Sequence, residues 1–417
     1  MGEHRLDRGG GDLRPRGLAP PWYGLLLLPT GLAPGFVNVS LGYLLVHHGV
    51  SVAAVAGLLA LFALPTTLRF LIGPILDTSL SPRAWYLITL LAVVAAMILL
   101  ALVPLSPAAM PLLSAIALAL GVAVNAVSSA AAAGMAATSP AGERGAVAGW
   151  VQVGQLGGNG LGGGLGLWLA QHAGGQLSAA LALGALSILC GLPILKLRAP
   201  PRQAGVAAMD RVKALLDALR ALATRRDGAL AILINVVPAA LAASLTLLAA
   251  VAGDWRASAD QVALVLGVVN GAATLPGCII GGYLCDRFPK RTVYIGAALA
   301  CALGDAAMAW GPHTPGGFAA FVILNAFLVG LGWSSVTAVI YEQLGVRAAA
   351  TAAGVLSSIS NLPVVGMVAL LGAIQPRHGS SGMLLTEAAF GVASVAFYLA
   401  VAAVWRAPAR AMSPAPA

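Results

Sequence analysis

Residues 84–104 have the sequence AWYLITLLAVVAAMILLALVP, an unbroken run of 21 residues without a charged side chain. A helix needs about 20 predominantly apolar residues to cross the hydrocarbon core of a bilayer. Arg83 comes directly before the run, where a basic side chain reaches the membrane–water interface. The stretch therefore predicts a membrane-spanning helix, and the rest of the chain repeats the same pattern.

The composition indicates that lipid is the main solvent of the folded chain. Of the 417 residues, 59% are hydrophobic and only 9% are charged, and the mean hydropathy is +0.91. A water-soluble surface needs many more charged side chains, so soluble classes are excluded. The Lys and Arg residues that give the net charge of +9 lie mostly in short gaps between apolar runs, and this distribution argues against nucleic acid as a partner. Cys190, Cys278, Cys285 and Cys301 lack metal-binding spacing, and we predict neither a metal nor a cofactor.

The same length rule predicts an all-α membrane protein of twelve transmembrane helices in two six-helix halves. The predicted parts are a tail at 1–21, a first half at 22–195, a central loop at 196–228, a second half at 229–406 and a tail at 407–417. The predicted spans lie near 22–46, 51–76, 84–104, 108–134, 146–170, 176–195, 229–252, 260–285, 291–311, 317–341, 349–374 and 383–405. Apolar residues at helical spacing between Ala207 and Leu222 favour an interfacial helix in the central loop.

The distribution of basic residues predicts the orientation. Counted over alternate gaps, 20 of the 23 Lys and Arg residues fall on one side, and only Arg256 and Arg377 fall on the other. Because Lys and Arg are retained in cytoplasmic loops, both termini are predicted to be cytoplasmic. We expect a multi-pass protein of the bacterial inner membrane.

Two loops at corresponding places in the halves carry related motifs. The eighth span ends in Gly281–Arg291, GGYLCDRFPKR, and the second ends in Gly73–Asp77, GPILD, with Thr78 in place of the Arg that follows Asp286. The longer stretch resembles the cytoplasmic loop signature of the major facilitator superfamily. That resemblance implies two halves that alternate in access, locked at the cytoplasmic side by charged residues. The residues it implies are Asp77, Arg83, Glu143, Arg144, Asp286, Arg287, Lys290 and Arg291.

A narrower resemblance concerns the solute. The stretches LRFLIGPILD at Leu68–Asp77, ERG at Glu143–Gly145 and LSSISNL at Leu356–Leu362 resemble the branch of muropeptide permeases, peptide–acetyl-coenzyme A transporters and siderophore importers. The resemblance implies uptake of a solute of one of these kinds.

Polar residues inside apolar spans are functional candidates because uncompensated charge in hydrocarbon is costly. Arg69 faces a central cavity and binds an anionic solute, or extends to the cytoplasmic interface, or pairs with a carboxylate of the gate. The amides are predicted either to bind solute or to join helices by hydrogen bonds. They are Asn38, Asn125, Gln152, Gln155, Asn159, Asn235, Asn270 and Asn361. Asp305 and Glu387 are the candidates for proton coupling, although the resemblance implies that their helices are peripheral.

Glycines recur every four residues on two spans and predict close helix contacts. On the fifth span they are Gly154, Gly158, Gly162 and Gly166, and on the eighth they form two pairs, Gly267 with Gly271 and Gly277 with Gly281. The resemblance implies that these two helices meet between the halves, so we interpret both rows as a sliding contact or as static packing.

The leading hypothesis is a secondary transporter that takes up a polar or anionic solute with protons. The alternative is an efflux antiporter for drugs or metabolites. A membrane-embedded enzyme would need a catalytic cluster, which the spans lack. The chain has no Walker A sequence, so ATP is not expected as a partner.

Overall fold

A computed structural model describes residues 18–69, 80–138, 144–197 and 243–406, with residues 213, 220, 224, 233 and 234. All regular structure in these residues is helical, as the all-α prediction requires. The helices are α1 Pro20–Leu27, α2 Pro29–Gly35, α3 Gly42–His47, α4 Val52–Thr67, α5 Pro82–Leu102, α6 Met110–Thr138, α7 Arg144–His172, α8 Gly175–Gly191, α9 Ala243–Val251, α10 Ala259–Val262, α11 Asn270–Arg287, α12 Lys290–Trp310 and α13 Pro315–Arg406.

Two π-helical segments continue these helices without a break. Phe36–Leu41 joins α2 to α3, and Ala263–Val269 joins α10 to α11. Short 3-10 turns occupy Pro107–Ala109, Leu192–Lys196 and Ala252–Trp255. Although π-helical segments are rare in proteins, those that occur are often found at functional sites.

Serine residues set the starts of several helices. In each case the hydroxyl accepts a hydrogen bond from the backbone N–H three residues later, which satisfies one of the free donors of the first turn. The pairs are Ser51 with Ala54 at 3.3 Å, Ser81 with Ala84 at 3.2 Å and Ser258 with Gln261 at 3.3 Å. Pro82 follows Ser81 as the first residue of α5, where its missing N–H costs nothing.

Eight helical segments of the described residues are long and apolar enough to cross a membrane. They are Pro20–His47, Pro82–Leu102, Pro107–Met135, Gly175–Lys196, Ala259–Arg287, Lys290–Trp310, Pro315–Val336 and Asn361–Val404. Val52–Thr67 and Ala243–Trp255 are apolar but shorter. The 29-residue α7 is long enough but is rich in glycine. The chain is thus a multi-pass helical membrane protein.

Helix α13 contains more than one crossing. Its 92 residues would extend about 138 Å as a straight rod, several times the thickness of a bilayer. Gly379 has a φ of +67°, which is not a helical conformation. Three small residues of α13 also contact three different helices: Gly330 meets α11, Gly372 meets α4, and Ser381 donates to a carbonyl of α12.

One apolar core joins the helices before residue 197 to those after residue 243. It includes Tyr43 and Val55 from the first group and Leu247, Trp255 and Leu371 from the second. These residues lie toward one end of the bundle, which we call the outer end; it carries the helix ends at His47, Val52, His172 and Ala259. The distribution of basic residues predicts that this end faces away from the cytoplasm.

Candidate functional site

A close backbone contact between the two groups of helices lies between α7 and the second π-segment. A Cβ atom added to Gly160 would lie 2.7 Å from the carbonyl oxygen of Gly267, and one added to Gly164 would lie 2.7 Å from that of Ala263. On the facing side, a Cβ added to Gly267 would lie 2.5 Å from the Cα of Gly164. Backbone therefore meets backbone here, with no side chain between them.

The glycine row predicted for this contact on α7 instead faces the first helices. Gly154, Gly158 and Gly162 pack on the backbone of Gly24, Leu28 and Leu32, and Gly166 packs beside Ser40. Residues two apart on a helix lie about 200° apart, so the row at 154, 158, 162 and 166 and the pair Gly160 and Gly164 occupy nearly opposite faces. Glycine thus lines both faces of α7.

The second predicted row is divided as well. Gly267 lies at the contact between the groups, and Gly271 makes an ordinary contact, its added Cβ lying 3.7 Å from the Leu156 carbonyl oxygen. Gly277 and Gly281 pack instead against the backbone of Phe327 and Leu331 in α13. Of these four glycines, only Gly267 and Gly271 belong to the contact with α7.

Two further contacts hold the outer end together. Gly372 of α13 packs on Ala53 and Ala56 at the start of α4. His172 at the end of α7 lies 3.7 Å, nitrogen to oxygen, from Asp260 in α10. The contacts of Gly164, Gly372 and His172 join the two groups of helices in the outer half of the bundle, so the outer end is closed in this conformation.

We expect the His172–Asp260 pair to contribute little. Both side chains are solvent-exposed, and exposed ion pairs contribute about 0–1 kcal/mol. Asp260→Asn should therefore lower the free energy of unfolding by less than about 1 kcal/mol. A double-mutant cycle with His172→Ala, read from melting of the purified protein at low and high salt, checks this. A coupling energy well above that value, insensitive to salt, would contradict it.

Arg69 lies at the end of α4 and points to α6. Its Nη2 donates to the Ser128 hydroxyl at 2.7 Å, and its Nε approaches the Ser129 hydroxyl at 3.5 Å. One turn toward the outer end, Asn125 donates to Thr66 at 3.2 Å and to the Gly121 carbonyl at 2.9 Å. The described partners of this cation are thus neutral hydroxyls.

The predicted amides are spread over several helices. Asn38 lies in the first π-segment, Asn270 begins α11 directly after the second, and the backbones of Gln155 and Asn159 line the contact with Gly31. Gln152 is exposed, and Asn361 is partly buried. Asn125 joins α6 to α4 by its hydrogen bond to Thr66. Asn235 lies outside the described residues.

The predicted cytoplasmic lock is described only in part. Asp77 and Glu143 lie outside the described residues, and Arg144 is described by its backbone at the start of α7. Arg83, Asp286 and Arg287 are exposed, and Arg291 is partly buried. The Arg287 guanidinium lies 4.4 Å from the centre of the Tyr283 ring on its own helix. Lys290 begins α12.

Asp305 and Glu387 form a buried polar cluster between α9, α12 and α13. The two Glu387 oxygens each accept a backbone hydrogen bond at 2.9 Å, from Ala243 and from Ser244. Asp305 Oδ1 accepts from the Asn325 side chain at 2.8 Å. The sequence predicted Asp305 and Glu387 as separate candidates for proton coupling. It did not indicate that the two lie together, or that Ser244 and Asn325 belong to the same cluster.

The contact made by Gly160 and Gly164 was also missed. Gly158-x-Gly160-x-x-Gly163 matches a dinucleotide-binding pattern by coincidence, since it lies inside a helix with no strand before it. Assigning every glycine of α7 to a helix face would have revealed that Gly160 and Gly164 form a second close contact.

An all-helical bundle with apolar spans, glycine contacts between two groups of helices and buried charged residues is typical of polytopic membrane transporters. Residues 24–247 match the family profile described as the Major Facilitator Superfamily. The chain belongs to this superfamily, and it is a transporter and not an enzyme.

Solved structures of several transporters share the fold at low sequence identity. The nucleoside transporter NupG is 17% identical with a TM-score of 0.69, and the match covers 91% of this chain and 98% of that one. The D-xylose-proton symporter is 17% identical with a TM-score of 0.68, covering 91% and 95%. The xylose transporter XylE from E. coli in a partially occluded inward open conformation is 13% identical with a TM-score of 0.67, covering 91% and 99%. Comparison with curated protein sequences gives no match.

Proposed function

We propose that the chain takes up a polar or anionic solute together with protons by alternating access. In this proposal two six-helix halves, 22–195 and 229–406, rock about a central solute site in the bacterial inner membrane, with twelve spans and both termini in the cytoplasm. The superfamily supports secondary transport. The similar structures include a D-xylose-proton symporter and a nucleoside transporter, which supports a polar solute and proton coupling.

The environment of Arg69 is the observation that supports an anionic solute. A guanidinium presents five donors in a rigid fork suited to a carboxylate or phosphate. Two of these donors face the Ser128 and Ser129 hydroxyls, which orient the group without neutralising it. Within the described residues, the positive charge is thus positioned but not balanced. An anionic group of the solute would supply that balance, and muropeptide- and acyl-coenzyme A-like solutes carry one, as do siderophores with free carboxylates.

The closed outer end supports alternating access. The glycine contact between α7 and the second π-segment lets two backbones approach and separate without interlocking side chains. An exposed ion pair and small-residue contacts close the rest of that end, so opening it breaks few strong interactions.

Uptake assays test the solute class and the role of Arg69 together. Cells lacking the gene, with wild type or variants restored, would be given labelled anhydro-muropeptide, ferric siderophore, uridine and D-xylose, with and without a protonophore. We expect protonophore-sensitive uptake of an anionic probe. Arg69→Ala should reduce it at least about tenfold, and Arg69→Lys should restore only part, since an ammonium lacks the fork.

Arg377→Ala is the matched control, because it removes an arginine from an exposed site at the outer end. Normal uptake by Arg69→Ala, at equal protein in the membrane, would show that Arg69 does not bind solute. Absence of uptake of every probe, with greater retention of drugs or dyes in cells lacking the gene, would favour the efflux antiporter.

A further inference from the structure

A polar cluster lies inside the apolar helices near the outer end. Asp305 of α12, Ser244 of α9, and Asn325 and Glu387 of α13 are buried, with exposed fractions of 0%, 0%, 3% and 1%. Asp305 lies five residues before the end of α12 at Trp310, or about 8 Å along the helix. The cluster is thus close to the outer surface but closed from it in this conformation.

Glu387 is held as an acceptor. Each of its carboxylate oxygens accepts one backbone N–H, from Ala243 and from Ser244, at 2.9 Å. These two N–H groups belong to consecutive residues of α9, and hydrogen bonds from backbone N–H groups favour the charged form of a carboxyl group. Two such hydrogen bonds, one to each oxygen, favour the ionised form of Glu387.

The Asp305 carboxyl differs from that of Glu387, because only one of its two oxygens accepts a hydrogen bond from a described residue. Its Oδ1 accepts from Asn325, whereas its Oδ2 has no hydrogen-bond partner among the described residues. The Ser244 hydroxyl lies beside both carboxyl groups without a hydrogen bond of ordinary geometry to a described residue. A proton on Asp305 Oδ2 would be donated to the Ser244 oxygen, leaving the Ser244 hydroxyl proton to point to Glu387.

The other described groups around the pair carry no compensating positive charge. Cys301, one turn earlier on α12, is the further titratable group that faces both carboxyls. Among the described residues, Asp305 faces Glu387, Asn325 and Ser244, none of which is a cation. Two ionised carboxylates in this apolar interior would repel each other strongly, so the cluster needs one positive charge. A proton on Asp305 supplies that charge without the further oxygen ligands that a metal cation takes.

We propose that Asp305 binds the transported proton, with Ser244 relaying its hydrogen bond to an ionised Glu387. This inference rests on proton-coupled transport as the function and assigns the residue that carries the proton. The proton enters from outside water, bonds to Asp305 Oδ2, and leaves by the same oxygen when the cluster is exposed to the cytoplasm.

Helix α9 connects this cluster to the movement of the halves. It packs against α3, α4 and the first π-segment, all from the other group of helices. Its backbone N–H groups at Ala243 and Ser244 donate to Glu387. Loss of the proton would place a second negative charge beside Glu387, weaken that attachment and loosen α9 from its partners. The closed outer end is therefore the proton-loaded conformation.

A distance measurement that needs no solute tests the inference. Nitroxide labels would be attached at His48→Cys and Arg377→Cys, two exposed sites at the outer end, in a Cys278→Ser background because the other native cysteines are buried. The purified full-length protein in lipid nanodiscs would be measured by pulsed electron resonance at about pH 5.5 and about pH 8.5. We expect short distances at acid pH and a longer population at alkaline pH.

The variants separate proton binding from structural support. Asp305→Asn mimics the protonated group, so it should keep the short distance at both pH values. Asp254→Asn, the same change at an exposed site, should respond as wild type does. Should Asp305→Asn fail to give monodisperse protein, Ser244→Ala serves instead. It should shift the midpoint of the pH response by at least about half a pH unit, a threefold change in proton affinity.

An unchanged pH response in Asp305→Asn, or in Ser244→Ala where that variant is used, would overturn the inference. So would a response that follows added sodium and not pH. The outcome is independent of the solute assays: a pH response that requires Asp305 stands even if every solute probe fails. Conversely, proton-driven uptake that survives Asp305→Asn would refute the inference and leave the transport function intact.

Discussion

Gly162→Val is expected to prevent the chain from accumulating as a folded membrane protein. A Cβ at this residue would lie 2.7 Å from the carbonyl carbon of Leu32 and 2.8 Å from its Cα. Overpacking of a tight core costs about 1–3 kcal/mol when side chains can adjust. Here the obstacle is backbone and valine is branched, so we expect a loss of stability above about 3 kcal/mol.

Yield in the membrane and thermal melting of purified protein measure this effect. Gly157→Val is the matched control on the same helix, because a Cβ there meets nothing within 4 Å. It should melt within a few degrees of wild type. Equal stability of the two variants would show that α7 does not pack on the first helices as described.

Gly267→Ala is expected to abolish transport while leaving the protein in the membrane. The added methyl group would lie 2.5 Å from the Gly164 Cα across the contact between the two groups of helices. Each group keeps its own packing, so the two can separate and relieve the clash. The outer end would then fail to close, and uptake should fall at least about tenfold at normal protein levels.

The spin-labelled pair at His48→Cys and Arg377→Cys provides the structural measurement. Gly267→Ala should shift the population to the longer distance at both pH values. Gly271→Ala, whose methyl group would make an ordinary 3.7 Å contact, should behave as wild type. A short distance in Gly267→Ala, with normal uptake, would show that this contact does not limit closure.

The sequence predicted the helices well because each is a local property. The run at 84–104 appears as α5, Pro82–Leu102, and the serine caps lie where the apolar runs begin. Such features depend on residues within a few positions of each other. The superfamily was predicted from one loop motif, GGYLCDRFPKR, and is confirmed by the match over residues 24–247.

The sites could not be predicted to the same degree, because they depend on which helix faces which. Asp305 and Glu387 are separated by the length of several helices, and only the packing of α12 on α13 brings them to α9. Likewise, Arg69 has a sequence signal, a charge inside an apolar span, but its serine partners come from α6. The glycine spacing showed that α7 makes close contacts and could not show with which neighbour.

The glycine contacts of α7 also restrict how the sequence can change over evolution. When a mutation places one side chain against another, a smaller residue opposite can compensate. At Gly154, Gly162 and Gly267 the obstacle is a main-chain atom that every amino acid possesses. No substitution at the facing residue removes it, so second-site suppressors of these mutations should be absent from the facing positions. Substitutions that accumulate at neighbouring residues must therefore leave these glycines unchanged.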